Sequence, residues 1–192
     1  MKTLLITTMT LLAFSVIGQD KHNHVYINRL TEVVGTEYMI ASVNYTNKIQ
    51  ETKGFYLLFM NTKNGETKQV DFPEDARIDK MEQVKIDSLG INLIVVEART
   101  IDLNGKKGIG WNDPTQIIIL SRDGKKKTQL TDNDFSARLW SVNNLTGVIA
   151  VVGQYGTDNN KHSKTSSYKS NSEDKNEIRL YSLKTLKQIN KL

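Results

Sequence analysis

"IIILSRDGKKKTQLTDNDFSARLWSVNNLTGVIAVV", residues 117–152, sets the terms for reading the rest of the chain. Four apolar residues, Ile117 to Leu120, lead into a turn at Asp123-Gly124. A lysine-rich strip then ends in Leu130-Thr131, and Trp140-Ser141 precedes a second apolar run, Val148 to Val152. A short apolar run bounded by turn residues reads as a strand covered on both faces. Asp-Gly supplies the positive φ that a tight hairpin needs. The stretch therefore describes short antiparallel strands with water kept away from the middle ones.

The order recurs. Lys68-Gln69-Val70, Thr128-Gln129-Leu130 and Lys187-Gln188-Ile189 place their glutamines 60 and 59 residues apart. Before each anchor stands a strand and a turn: "GFYLLFMNTKNGETKQV", "TQIIILSRDGKKKTQL" and "NEIRLYSLKTLKQI". The first two turns hold Asn64-Gly65 and Asp123-Gly124; the third has Lys184-Thr185, which predicts a different turn. Upstream of the hairpins lie "EYMIASVNY", "INLIVVEART" and "GVIAVVGQYG", and upstream again "VYINRL", "MEQVKID" and "ARLWSVN". Each unit thus holds four strands, A to D, over residues 25–72, 78–131 and 137–192. Repeats longer than about 40 residues with four short strands each are the content of propeller blades.

Patterning within the units agrees. Leu93 to Val96, Ile117 to Leu120 and Val148 to Val152 are continuous apolar runs, expected to be covered on both faces. Strand D alternates, Val70 and Phe72 against Gln69 and Asp71, as an outer strand with one wet face should. A two-sheet sandwich would alternate in nearly every strand. The fold class expected is all-β: a propeller-like array of about three four-stranded antiparallel blades after a signal peptide. "PEDARIDKMEQV", residues 73–84, has Pro73 first and Ile78 and Met81 three apart, and predicts at most a short helix.

Residues 117–152 resemble the blade repeat of TolB-like propellers, the WD40-like repeat of periplasmic proteins. The matching pieces are the apolar strand 117–120, Asp123-Gly124, Leu130-Thr131, Trp140-Ser141 and the strand 148–152. That family usually carries Ser-Pro-Asp-Gly at its second turn, where this chain has "VNNLTG". The resemblance implies that Trp140 packs between blades. It also implies a ring of six or more blades, against the three counted here. A homodimer closing a six-blade ring about a twofold axis would satisfy that count; a fragment or an open array would be the other outcomes.

The amino end, Met1 to Gly18, has a positive start and an apolar run too short and threonine-rich to span a membrane. It reads as a secretory signal, residues 1–18, followed by a β-repeat domain over 19–192. The chain is expected to be secreted or periplasmic, without stable membrane insertion. With no cysteine, stability must come from packing and strand pairing. The formal charge is +5, or +4 once Lys2 is removed. For an exported chain that charge points away from nucleic acid and toward a protein or an anionic cell-envelope glycan.

The B-to-C connections lengthen along the chain: "TNKIQETK", "IDLNGKKGIGWNDP" and "TDNNKHSKTSSYKSNSEDKN". Long loops gathered on one rim are where propellers bind. The middle one, with its base, supplies the candidate ligand-binding residues Arg99, Asp102, Asn104, Trp111 and Asp113. Trp111 either faces a ligand or folds back as a plug.

Catalytic motifs are missing: no Gly-x-Ser-x-Gly, no His-Glu-x-x-His, no phosphate-cradling glycine loop. No cofactor or metal is expected: His22 and His24, at alternate positions near the amino end, either share one side of an extended segment that catches a soft divalent metal or belong to an unordered tail, the reading preferred here, and His162 has no partner in its loop. The function expected is an exported non-catalytic recognition or scaffold module. The alternative is a carbohydrate-binding or carbohydrate-processing protein using the 101–114 loop, with Asp102 and Asp113 as its acids.

Overall fold

The computed structural model describes residues 24–46, 52–103, 105, 108–155 and 176–192. The segment read as a signal peptide lies outside them. Among the described residues the strands are β1 (His24–Glu32), β2 (Tyr38–Thr46), β3 (Thr52–Asn61), β4 (Thr67–Asp71), β5 (Arg77–Ile86), β6 (Ile91–Arg99), β7 (Gln116–Ser121), β8 (Lys127–Gln129), β9 (Phe135–Asn143), β10 (Val148–Tyr155), β11 (Glu177–Ser182) and β12 (Lys187–Lys191). They form three four-stranded sheets, each built from four consecutive strands in sequence order. All pairings are antiparallel. The fold is an all-β, propeller-like array of three blades.

The middle blade explains the isoleucine run. Side chains alternate across a strand, so neighbours on β7 face opposite ways. Ile118 and Leu120 join Met81, Ile94 and Val96 in a core shared with Ile40, Leu57 and Phe59 of the first blade. Ile117 and Ile119 join Val95 in a second core, shared with Ile149, Val151 and Tyr181 of the third blade. All four β7 residues are at most 4% exposed. At about 25 cal/mol per Å² of apolar surface removed from water, burial of this kind is the main favourable contribution to the fold.

The flanking blades differ. On β10, Ile149 and Val151 are buried, while Val148, Ala150 and Val152 on the other face are only half-buried. The expectation that 148–152 is covered on both faces is therefore corrected. An apolar run is buried twice only where a sheet lies on each side, and the third blade has a packed neighbour on one side among the described residues. The first blade mirrors it: Leu57 and Phe59 are buried, but Tyr56, Leu58 and Met60 point outward and are partly exposed. Val25 (59%), Ile27 (67%) and Leu30 (56%) in the first blade and Leu139 (69%) in the third are open aliphatic groups on these two end faces. They are the faces that a six-blade ring of two copies would join.

No helix forms over 73–84. From Arg77 the segment is β5, paired from Arg77↔Arg99 to Ile86↔Ile91, and the only helical turn nearby is a 3-10 turn at Asp87–Leu89. The reason is a β-bulge at Asp79, where the register shifts between Ile78 and Lys80. An extra residue in a strand puts positions three apart on one face, so Ile78 and Met81 both reach the first core. The helical spacing was the trace of a bulge. The same device recurs in each first strand, with Asn28 extra in β1 and Arg138 extra in β9.

The hairpins follow their turn residues. Gly65 and Gly124 have φ of 77° and 71°. In the third hairpin Leu186 takes the left-handed conformation at φ 55°, and its N–H donates to Ser182 O, four residues back, as Gly65 N–H does to Asn61 O. Gly124 also meets the first blade: a Cβ there would lie 2.5 Å from the ring of Phe59, which is fully buried. Gly124→Ala should therefore lower stability by about 2–4 kcal/mol, from the left-handed φ and the clash together. Urea unfolding of both forms measures it. Gly65→Ala, with open space around its Cβ position, should cost only the backbone part.

Candidate recognition cleft

The loop between β6 and β7 is held at its base, along its length and at its core side. At the base, the fully buried Gln116 accepts from Thr100 N–H and Oγ1–H, both at 3.0 Å, and its Nε2 donates to Pro114 O at 2.9 Å. Along its length, buried Asp113 accepts from Leu103 N–H at 3.1 Å through Oδ1 and from Gly110 N–H at 2.7 Å through Oδ2. On the core side, Ile109 is buried in the core between the first and second blades. An anchored loop with a buried carboxylate inside it can hold a large side chain out in water.

That side chain is Trp111, which is 71% exposed. The guanidinium carbons of Arg77 and Arg99 lie 4.9 and 5.2 Å from its ring centroid. Such cation–π contacts hold the ring in place at about 0.5–1 kcal/mol each at an exposed site. Arg99 Nη1 donates to Asp79 Oδ2 at 2.5 Å, and its Nε is buried without a partner. Asp79 is the bulged residue of β5, so the bulge that realigned Ile78 and Met81 also aims this carboxylate.

Trp111 stands at the edge of an open cleft of about 1260 Å³ between the first two blades. Asn28 and Arg29 from β1, Asn44 from β2 and Arg77 and Asp79 from β5 line it. Two of the three bulged residues, Asn28 and Asp79, thus face one cavity. Asn44 Oδ1 is buried there with no hydrogen-bond donor.

The residues singled out in the sequence fall as follows. Arg99 and Trp111 are in contact at the cleft. Asp113 is inside the loop as a brace. Asp102 is exposed, and its Oδ1 accepts from Gly105 N–H at 2.9 Å. Asn104 lies outside the described residues, as do Lys106, Lys107, His22, His162 and most of the other two B-to-C loops. Arg29, Asn44, Arg77 and Asp79 also line the cleft and carry no motif in the sequence. The one available signal was the spacing of Ile78 and Met81 in a strand-like context, which marks the bulge. Trp140 is half-buried on the inward face of the third blade, packed against the second core. Among the described residues no three His, Asp or Glu side chains converge as metal ligands, and no helix is long and apolar enough to cross a membrane.

The chain aligns with the β-propeller domain of the Trilobed protease from Pyrococcus furiosus at 12% identity and a TM-score of 0.44, covering 88% of this chain and 42% of that one. It aligns with Pyrococcus horikoshii acylaminoacyl peptidase at 11% identity and a TM-score of 0.44, covering 88% of this chain and 25% of that one. The chain therefore spans less than half the length of either. No protein-family model and no curated protein matches the sequence.

Two charged groups between the second and third blades complete the electrostatics. Arg179 is 2% exposed, and donates to Glu177 Oε1 at 2.6 Å and to Asp132 Oδ2 at 2.7 Å; it also meets the Tyr155 hydroxyl. Burial disfavours its charge, but Glu177, Tyr181 and Asp132 outweigh burial and hold the proton more firmly than on a free guanidinium. Glu97 on β6 goes the other way. Burial pushes its carboxyl up, against the Trp140 Nε1–H bond that it accepts at 3.2 Å. A carboxyl that holds its proton to higher pH in the folded chain than in the unfolded one costs stability as pH rises between the two values. Glu97→Gln keeps an acceptor for Trp140 and removes that cost. It should raise the melting temperature relative to the parent at pH 7, and the gain should vanish as pH falls below the ordinary carboxylate range; thermal unfolding from pH 3 to 8 gives the comparison.

Proposed function

We propose that the chain is an exported, non-catalytic recognition module that holds a protein or cell-envelope partner at the rim of its first two blades. The observation that carries this is Trp111: a large aromatic ring, 71% exposed, set between two arginines on a loop whose buried groups fix its position. Tryptophan and arginine carry a disproportionate share of binding energy at protein interfaces. A rigid presenting loop reduces the ordering cost of binding. The likeness of residues 117–152 to the TolB-like repeat, and the signal-like start at 1–18, support placement in the periplasm or outside the cell.

The carbohydrate-processing alternative needs a carboxyl free to give a proton to a leaving group. Both oxygens of Asp113 accept amide N–H groups within the loop, and Asp102 accepts one from its own turn. This arrangement favours binding over hydrolysis.

Immobilised parent chain and its Trp111→Ala and Arg77→Gln forms, exposed to a cell-envelope fraction, test the reading. Species retained by the parent should be lost from both variants, which alter exposed side chains and leave the blades intact. Equal retention by all three would contradict it, and so would glycoside hydrolysis abolished by Asp113→Asn.

A further inference from the structure

Resting on the recognition reading above, we propose that the cleft between the first two blades takes an extended acidic peptide segment. About 1260 Å³, open to solvent, exceeds the roughly 300–1,000 Å³ of small-molecule pockets and suits a length of polymer.

Arg29 and Arg77 have no carboxylate partner among the described residues, whereas Arg99 is already paired with Asp79. Two guanidinium groups without a carboxylate, Arg29 from the first blade and Arg77 from the second, where it also lies against the Trp111 ring, call for carboxylates, which they can hold through paired N–H donors. Asn44 Oδ1 has the opposite need, because a buried acceptor without a donor costs about 1–3 kcal/mol until an N–H or O–H reaches it. A ligand that fits must therefore bring both carboxylates and donors.

The fold then separates peptide from polyanionic glycan. β5 is the first strand of its sheet and has a neighbour, β6, on one side only. Among the described residues no main-chain hydrogen bond from another element reaches residues 77–81 from the open side. An extended peptide can pair with such an edge, as a sugar chain cannot. The bulge at Asp79 interrupts the edge, which limits pairing to a few residues and leaves the grip to the side chains. Glu74 and Asp75 also line the cleft, which disfavours an unbroken row of negative charge and favours acids spaced along a segment.

The probe is a fluorescein-labelled decapeptide alternating Ser and Glu, compared with its Ser-Gln analogue and with an oligogalacturonate of equal charge, by fluorescence anisotropy on the full chain. The Ser-Glu peptide should bind, and the Ser-Gln analogue should bind at least about tenfold more weakly, the scale of one lost charged hydrogen bond. Arg77→Gln, an exposed position that leaves the core alone, should weaken the Ser-Glu peptide by a similar factor. Asn44→Leu should weaken both peptides.

Equal affinity for the Ser-Gln analogue, or oligogalacturonate binding as tightly as the Ser-Glu peptide, would overturn the inference. So would no peptide binding at all. The last result would leave Trp111-dependent envelope capture to be judged by its own experiment, so the two readings fail separately.

Discussion

Everything in this structure hangs on one strand being wanted from both sides. β7 points Ile118 and Leu120 at one blade and Ile117 and Ile119 at another, and neither pair can reach water. With no cysteine to staple the chain, these two dry interfaces hold three small sheets in a row. At the hairpin that follows, Gly124 lies against Phe59 of the first blade and leaves no room for a methyl group. Interiors packed this closely transmit any change of volume into strain.

The site follows from the same build. The first two sheets bring β1 and β5 to one cleft, and a bulge in each first strand turns one extra side chain out of the ladder. In the first two blades the extra residues are Asn28 and Asp79, and both face the cleft. Asp79 then fixes Arg99, and Arg99 with Arg77 fixes Trp111. The loop contributes its own support through Asp113 and Gln116, so the exposed ring is fixed from two directions. The placement of these polar groups is a consequence of how the first two blades meet.

Much of the fold was legible because repeated turns and apolar runs are local signals. Asn64-Gly65 and Asp123-Gly124 sit at hairpins with the positive φ their residues suggest. The limit appeared where a local pattern depends on what lies beyond the unit. Residues 117–120 and 148–152 look alike in sequence, yet only the first run has a sheet on each side. Ile78 and Met81 look helical because a bulge resets the strand period by one residue. The cleft was less legible still. Trp111 and Arg99 stood out by residue type, but Asn44, Arg77 and Asp79 come together only through strand register, which no spacing within one unit encodes. Asp113 looked like a presented acid and is a brace, because its two oxygens accept the N–H groups of Leu103 and Gly110 within the loop.

The stacking of the middle blade is tested most directly by truncating β7 on each face in turn. Ile118→Ala and Ile119→Ala point to different neighbours, and each should destabilise the chain by about 2–5 kcal/mol in denaturant unfolding, since each opens a cavity in a closed interface. A large loss from one and a change within about 0.5 kcal/mol from the other, the size of an ordinary surface substitution, would mean that one face of β7 meets solvent, and would contradict the three-sheet stack.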